Sequence, residues 1–260
     1  KIEATAAAGS GAYSANTVIQ RYMDGRAGAH YTANSSTVLH IKSDNAYADK
    51  NIVDSSPTGH TITHTTNVTT ANHVYHHIND DRTANTALYF DGYSLLSFPA
   101  DTRIWPHDTQ NWTIETWVKF KDTTSVTMLN QSNPAAASNS SWILWNNSSA
   151  QPGFYASDGT DWDYSAVSSQ AVYLHRWYHI AATRLGDVIY LHVDGVTVAS
   201  VALPSNWQMG SSTRVVEAGC QDGLSNSPFT GWMDGIRITN GIPRYTSGIP
   251  TDGQSPHKKY

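Results

Sequence analysis

Carboxylates come first, because both polysaccharide hydrolysis and metal binding depend on how they are spaced. The chain has only three glutamates, Glu3, Glu115 and Glu217, far apart in sequence. A retaining glycoside hydrolase needs two carboxyl groups ~5–5.5 Å apart, one as nucleophile and one as acid. On a strand that means positions i and i+2 or i+4. Asp161 and Asp163 have the first spacing, but they sit in the glycine-bounded turn region Asp158-Gly159-Thr160-Asp161-Trp162-Asp163, where a rigid pair is hard to hold. The sequence contains no Ser-His-Asp order, nucleophile elbow or phosphate loop. The expectation is a protein that binds without reacting, and not an enzyme.

Binding chemistry is concentrated between Ser125 and Tyr164. Trp142, Trp145, Tyr155, Trp162 and Tyr164 alternate there with Asn130, Gln131, Asn133, Asn146, Asn147 and Asp158. Flat aromatic faces stack on the apolar face of a pyranose while amides and carboxylates bond its hydroxyls, so the mixture suits a glycan. Those five aromatic residues are the candidate contacts. Trp142 and Trp145 are three apart and must face opposite ways on one strand, so one of the two belongs to the core. The Asp158–Asp163 run has only a superficial likeness to a calcium loop, because the closing bidentate glutamate is missing. Five histidines, His60, His64, His73, His76 and His77, match no zinc spacing and alternate with Thr and Asn as a solvated strand and loop would.

The elements that must position these residues are strands. Trp177 to Leu203 contains three β-rich runs, Tyr178–Thr183, Val188–Val193 and Val196–Val201, broken by Leu185-Gly186-Asp187 and by Asp194-Gly195. Asp-Gly tolerates the positive φ that a two-residue hairpin demands, so an antiparallel meander is predicted. Trp112, Ile114, Val118 and Phe120 share one face of a strand, which leaves Glu115, Trp117 and Lys119 pointing out of the sheet. Near the end, Trp232, Asp234, Ile236 and Ile238 share one parity. A carboxylate on that apolar face needs a cation or a set of donors.

Nine Trp, fourteen Tyr and 39% hydrophobic residues supply a large core, while Thr, Ser, Asn and Gly supply turns. A formal charge of −5 gives no electrostatic reason to expect nucleic acid. No run of about 18 apolar residues could cross a bilayer as a helix, so no membrane partner is expected. Cys220 is the only cysteine, which excludes an intrachain disulfide and suggests a buried, inert thiol. Seven sequons, from Asn34 to Asn147, are what chance gives in a chain this rich in Asn, Ser and Thr.

Four pieces in order carry a resemblance. They are Ala87-Leu88-Tyr89-Phe90-Asp91-Gly92, Trp112 to Phe120, the Trp177–Leu203 stretch, and Gly231-Trp232-Met233-Asp234-Gly235-Ile236-Arg237-Ile238. Together they resemble a laminin-G-like, concanavalin-A-like jelly-roll domain, and Asp54 to Thr61 is similar to the family's early loop, with Pro57 in place of a small residue. Residues 237–246 are similar to the version found in tail-fibre and other virion proteins of tailed bacteriophages. The resemblance implies an all-β sandwich of two antiparallel sheets. It also implies one structural calcium ion on Asp91, the Gly92 carbonyl and Asp234. The Glu-x-Asp-x-x-Glu and Glu-x-Asp-x-Glu strands of laminarinase-type relatives occur nowhere in the chain.

The expected organisation is an arm at 1–35, a β-sandwich at 36–250 and a tail at 251–260. The arm is too small and polar to fold alone, and it either stays loose or makes assembly contacts. Starting at Lys1 without a signal peptide, the chain reads as processed or as part of a longer protein. The resemblance implies a non-catalytic module on a virion or other extracellular surface, binding a host-surface polysaccharide or glycan, repeated as a homo-oligomer among other virion or filament subunits. Two alternatives stand beside it: a purely structural virion or filament subunit assembled through the arm, and a secreted bacterial adhesin or carbohydrate-binding module.

Overall fold

A computed structural model describes residues 35–245 apart from 44, 67–73, 79–85, 102–103, 105–108, 134–137 and 224–225. The expected arm, but for its last residue, and the expected tail therefore lie outside the described residues, as does His73. Among the described residues there are fifteen strands and no helix. They are β1 (Thr37–Ile41), β2 (Thr63–Thr66), β3 (Tyr75–Ile78), β4 (Thr86–Asp91), β5 (Ser94–Phe98), β6 (Trp112–Phe120), β7 (Val126–Gln131) and β8 (Trp142–Asn146). The remainder are β9 (Pro152–Ala156), β10 (Tyr164–Val167), β11 (Trp177–Leu185), β12 (Val188–Val193), β13 (Val196–Ala202), β14 (Val216–Ala218) and β15 (Thr230–Asn240).

Turn chemistry builds the predicted meander. Asp194 and Gly195 take φ values of 51° and 78°, so β12 and β13 pair as a hairpin, and β11 pairs with β12 across Gly186. These strands form one end of an eight-stranded sheet ordered β13-β12-β11-β6-β15-β4-β3, with β1 also on β15. The second sheet has seven strands, ordered β10-β9-β8-β7-β14-β5-β2, and every pairing is antiparallel. The Asp91-Gly92-Tyr93 turn joins β4 in the first sheet to β5 in the second. Between the layers pack Phe90, Trp112, Ile114, Val118, Phe120, Trp142, Phe154 and Ile238, all buried. This is the expected all-β jelly-roll sandwich.

One register differs from the expected parity. Gly235 has φ of 57° and lies in a bulge between Asp234 and Arg237, so the strand changes phase there. Trp232 and Asp234 consequently lie on the outer face, opposite Lys119 and Trp117, while Ile236 and Ile238 turn inward. Before the bulge β15 pairs with β4, and after it with β1.

Glu115 points out of the sheet as expected, yet it is fully buried, because Arg244 and Tyr245 fold back over that face. Its Oε1 accepts from Arg237 Nε at 2.7 Å and lies 2.6 Å from Arg237 Nη2, while Tyr245 Oη donates to Oε2 at 2.5 Å. His179 Nε2 stands 2.9 Å from Oε2. Burial alone would raise the Glu115 pKa, but Arg237, His179 and Arg244 hold it far below the usual carboxylate range. Nearby His192 is pushed down to about 4, first by burial and then by the His179 charge.

Both groups bind fewer protons folded than unfolded, so their stabilisation is complete above the ordinary pKa and drains away as pH falls. For His192 the window runs from 6.5 down to about 4, and for Glu115 it begins below 4.5. The His192 contribution is about 3 kcal/mol. Denaturant midpoints should therefore fall between neutral pH and pH ~4, and His192→Gln should flatten that decline; an unchanged slope in the variant would remove His192 as its cause.

Candidate functional site

The outer face of the seven-stranded sheet carries the part of the predicted glycan surface that the fold brings together. Trp145 on β8 and Tyr155 on β9 both point outward and meet edge to face, their rings 5.4 Å apart. Each is half-buried. Trp145 faces Gly153 across the strand pair, and a Cβ at Gly153 would lie 3.1 Å from the indole Nε1. The indole edge thus occupies the space a side chain would fill, and Gly153 lets it lean down onto the sheet. Glycine within a strand often marks such a close approach, and that is the signal a sequence reading could have used to add Gly153 to the site.

A row of outward residues crosses five strands, from Glu217 through Asn130, Ile143 and Tyr155 to Ser165. Its polar end is tied internally. Asn130 donates to the Cys220 carbonyl at 2.6 Å and accepts from Ser132 Oγ at 2.9 Å. Cys220 itself is buried, as expected of an inert thiol. Glu217 accepts from the Asp222 and Gly223 amides at 2.8 and 3.0 Å. Burial pushes its pKa up, and those amides pull against it. With one oxygen on each amide, Glu217 fastens the turn that follows β14. Glu217 and Glu115 belong to different sheets and form no pair.

The other predicted contacts part company. Trp142 is wholly buried and stacks on Phe154 at 6.3 Å with planes 15° apart, so it is a core residue and not a glycan contact. Tyr164 lies opposite Ala156 on the inward parity and packs edge to face on Trp207 at 5.1 Å, so it too leaves the outer surface. Trp162 stays half-buried in the β9–β10 connection. There Asp158 Oδ1 accepts from the Thr160 amide at 2.8 Å and from the Thr160 hydroxyl. These bonds close the turn and lower the Asp158 pKa.

The calcium set does not assemble. Asp91 is opposite Thr230, and Asp234 lies four residues farther along β15, roughly 13 Å away at the usual strand rise. Asp91 Oδ1 accepts from Tyr93 N and Ser94 Oγ, both at 2.8 Å. Asp234 Oδ1 accepts from Ser43 N at 2.9 Å and Gly235 N at 2.7 Å, so two backbone donors engage this oxygen where a cation was expected. Gly92 holds the turn, with φ of 83°. Among the described residues no cluster of three His, Cys, Asp or Glu side chains could hold a metal ion. His60, expected on a solvated stretch, is instead buried, with Nδ1 2.8 Å from Asp54 Oδ2.

Two facing antiparallel sheets with an aromatic outer surface define a jelly-roll module of lectin type. The family described as the concanavalin A-like lectin/glucanases superfamily, in its laminin G form, matches residues 90–242, and the chain belongs to that family. No curated protein matches the sequence. Among solved structures, domain 4 of an extracellular arabinanase from Geobacillus stearothermophilus, in complex with arabinotriose, superposes with a TM-score of 0.55 at 16% identity. That match covers 80% of this chain and 94% of the arabinanase domain. A botulinum neurotoxin serotype D/C binding domain superposes with a TM-score of 0.60 at 10% identity, over 86% of this chain and 51% of the toxin domain. A type C botulinum neurotoxin, whose cell entry depends on interaction with two ganglioside molecules, gives 0.56 at 11% identity, over 84% and 49%. The chain thus spans about half the length of the toxin domains and nearly all of the arabinanase domain.

Proposed function

We propose that this chain is a non-catalytic, lectin-type module that binds a glycan through Trp145 and Tyr155 on the outer face of the seven-stranded sheet. The observation that carries the proposal is the indole laid against Gly153 beside a second outward ring, because paired aromatic faces fixed on a sheet are what stack on a sugar ring. The arabinotriose-bound relative and the ganglioside-dependent toxin support a carbohydrate ligand. Absence of catalysis is supported by the carboxylates, since Glu115 is enclosed by its partners and Glu217 is held by two backbone amides.

Display of the module on a phage tail fibre or other virion surface, in several copies, rests on the resemblance of residues 237–246. Repetition would turn a shallow, weak site into tight attachment. Finding the chain on purified virions in multiple copies would support that part of the proposal, and its absence from them would end it.

The site itself is tested with the full chain on a glycan array, followed by calorimetric titration of the best neutral sugar and of arabinotriose. Trp145→Ala is expected to weaken binding by at least about tenfold, roughly the loss of one good stacking contact, while the melting temperature changes little. Gly153→Val should weaken binding as well, by lifting the indole off the sheet. Array silence, or affinity unchanged in both Trp145→Ala and Tyr155→Ala, would refute the proposal.

A further inference from the structure

On the opposite face of the molecule, the outer surface of the eight-stranded sheet, one row of residues runs Tyr75, Tyr89, Trp232, Lys119 and Trp177 across β3, β4, β15, β6 and β11. His77, two residues on from Tyr75, and Tyr47, from the loop after β1, join this row at its β3 end. Tyr47, Tyr75, His77, Tyr89 and Trp232 form one connected aromatic cluster with ring centroids 5.2–6.4 Å apart. Trp232 is its buried floor. Tyr47 is 56% exposed, and Tyr75, His77 and Tyr89 are half-buried, so the upper rings remain accessible.

Two ammonium groups sit on this aromatic bed. Lys119 Nζ is 5.3 Å from the centre of the Trp232 ring, and Lys121 Nζ is 5.3 Å from that of Tyr89 and 5.8 Å from that of Trp232. Lys121 also donates to Tyr89 Oη at 3.2 Å. A cluster of aromatic faces usually suits a cation. Here the cation positions over Trp232 and Tyr89 are filled by the protein's own lysines, which would repel a positively charged ligand and attract a negative one. Asp91, whose charge reaches Tyr75, is the opposing group, and its Oδ1 is engaged by Tyr93 and Ser94.

We propose that this face is a second binding site, for a saccharide bearing carboxylates, with the accessible parts of the Tyr47, Tyr75 and His77 rings taking the apolar sugar face and Lys121 pairing the acid. Charge selects the class, because the Lys121 ammonium at the rim of the cluster is held in place by a tyrosine hydroxyl and a ring face. Hydroxyl-rimmed rings beside it match the mixed apolar and hydroxylated surface of a pyranose. The net charge of −5 on the whole chain argues against long polyanions such as nucleic acid. The site shares no residue with the Trp145 surface and stands independently of it.

The test uses the full chain and two acidic probes, each with a neutral twin: oligogalacturonate beside its methyl ester, and sialyllactose beside lactose. At least one acidic probe is expected to bind, at least about tenfold more tightly than its twin, and binding should weaken as ionic strength rises. Lys121→Gln, a surface change, should remove about that factor, Tyr75→Ala should weaken binding too, and Trp145→Ala should leave it untouched. The proposal is overturned if neither acid binds better than its twin, or if Lys121→Gln and Tyr75→Ala leave affinity unchanged. Self-association that Lys121→Gln abolishes, without any sugar binding, would assign the face to a second copy of the chain and overturn it equally. Loss of neutral-sugar binding alone would count against the Trp145 surface and leave this one standing.

Discussion

Replacing Glu115 with alanine is expected to lower the unfolding free energy by about 3–5 kcal/mol, the usual effect of removing one partner from a buried ion pair. Arg237 reaches this carboxylate at 2.6 and 2.7 Å, His179 at 2.9 Å and Tyr245 at 2.5 Å, and Arg244 Nε lies 3.8 Å away. All these side chains are buried, so alanine takes this carboxylate from two guanidinium groups that have little access to water. Attraction within the cluster does not itself stabilise the fold by that much, because desolvating the ions offsets most of it. The cost comes from leaving cations behind. Glu115→Gln should therefore be nearly as damaging as alanine, since it keeps the shape and loses the charge, while Glu115→Leu combined with Arg237→Met should recover much of the loss. Urea midpoints at neutral pH measure this, and a loss below about 1 kcal/mol in both single variants would place the cluster on the well-hydrated side of the scale.

Glu115 also marks how far the sequence could be read. Strict alternation from Trp112 to Phe120 correctly divides that strand into inward and outward residues, because side-chain parity is a local property of an extended chain. What covers the outward face is not local. Arg244 and Tyr245 close over Glu115 from more than a hundred positions downstream, and nothing in the Gly-, Pro- and Ser-rich character of the following residues announces it. The meander was legible for the same local reason as the alternation, since Asp194-Gly195 specifies a hairpin by itself. At Gly235 a single residue in the left-handed region adds a bulge and reverses the parity of everything beyond it. Counting by twos across that glycine put Asp234 on the wrong face and suggested a cation where two backbone amides bond one carboxylate oxygen. The distance between Asp91 and Asp234 was equally out of reach, because it depends on the register between β4 and β15. The aromatic cluster around Trp232 was missed since its members come from a loop and three strands that only pairing brings together.

Trp142 and Trp145 put the remaining distinction to experiment. Three positions apart on one strand, they were bound to face opposite ways, and the fold assigns Trp142 to the core. Trp142→Ala is expected to cost about 3–5 kcal/mol, from lost burial and an unfilled cavity beside Phe154. The ring is completely enclosed, and Phe154, which it stacks on, also packs against the buried Trp112, so the neighbours that would have to collapse into the space are held by other core contacts. Trp142→Phe should recover most of the loss, because the indole N–H it gives up is buried without a hydrogen-bond partner. Sugar affinity measured on the folded fraction of either variant should stay close to that of the parent chain. Trp145→Ala should give the reverse pattern, with stability nearly unchanged and affinity lost. Paired melting curves and titrations on the two alanine variants read both quantities at once, and a Trp142→Ala chain that melts normally but no longer binds would exchange the roles assigned to the two faces of β8.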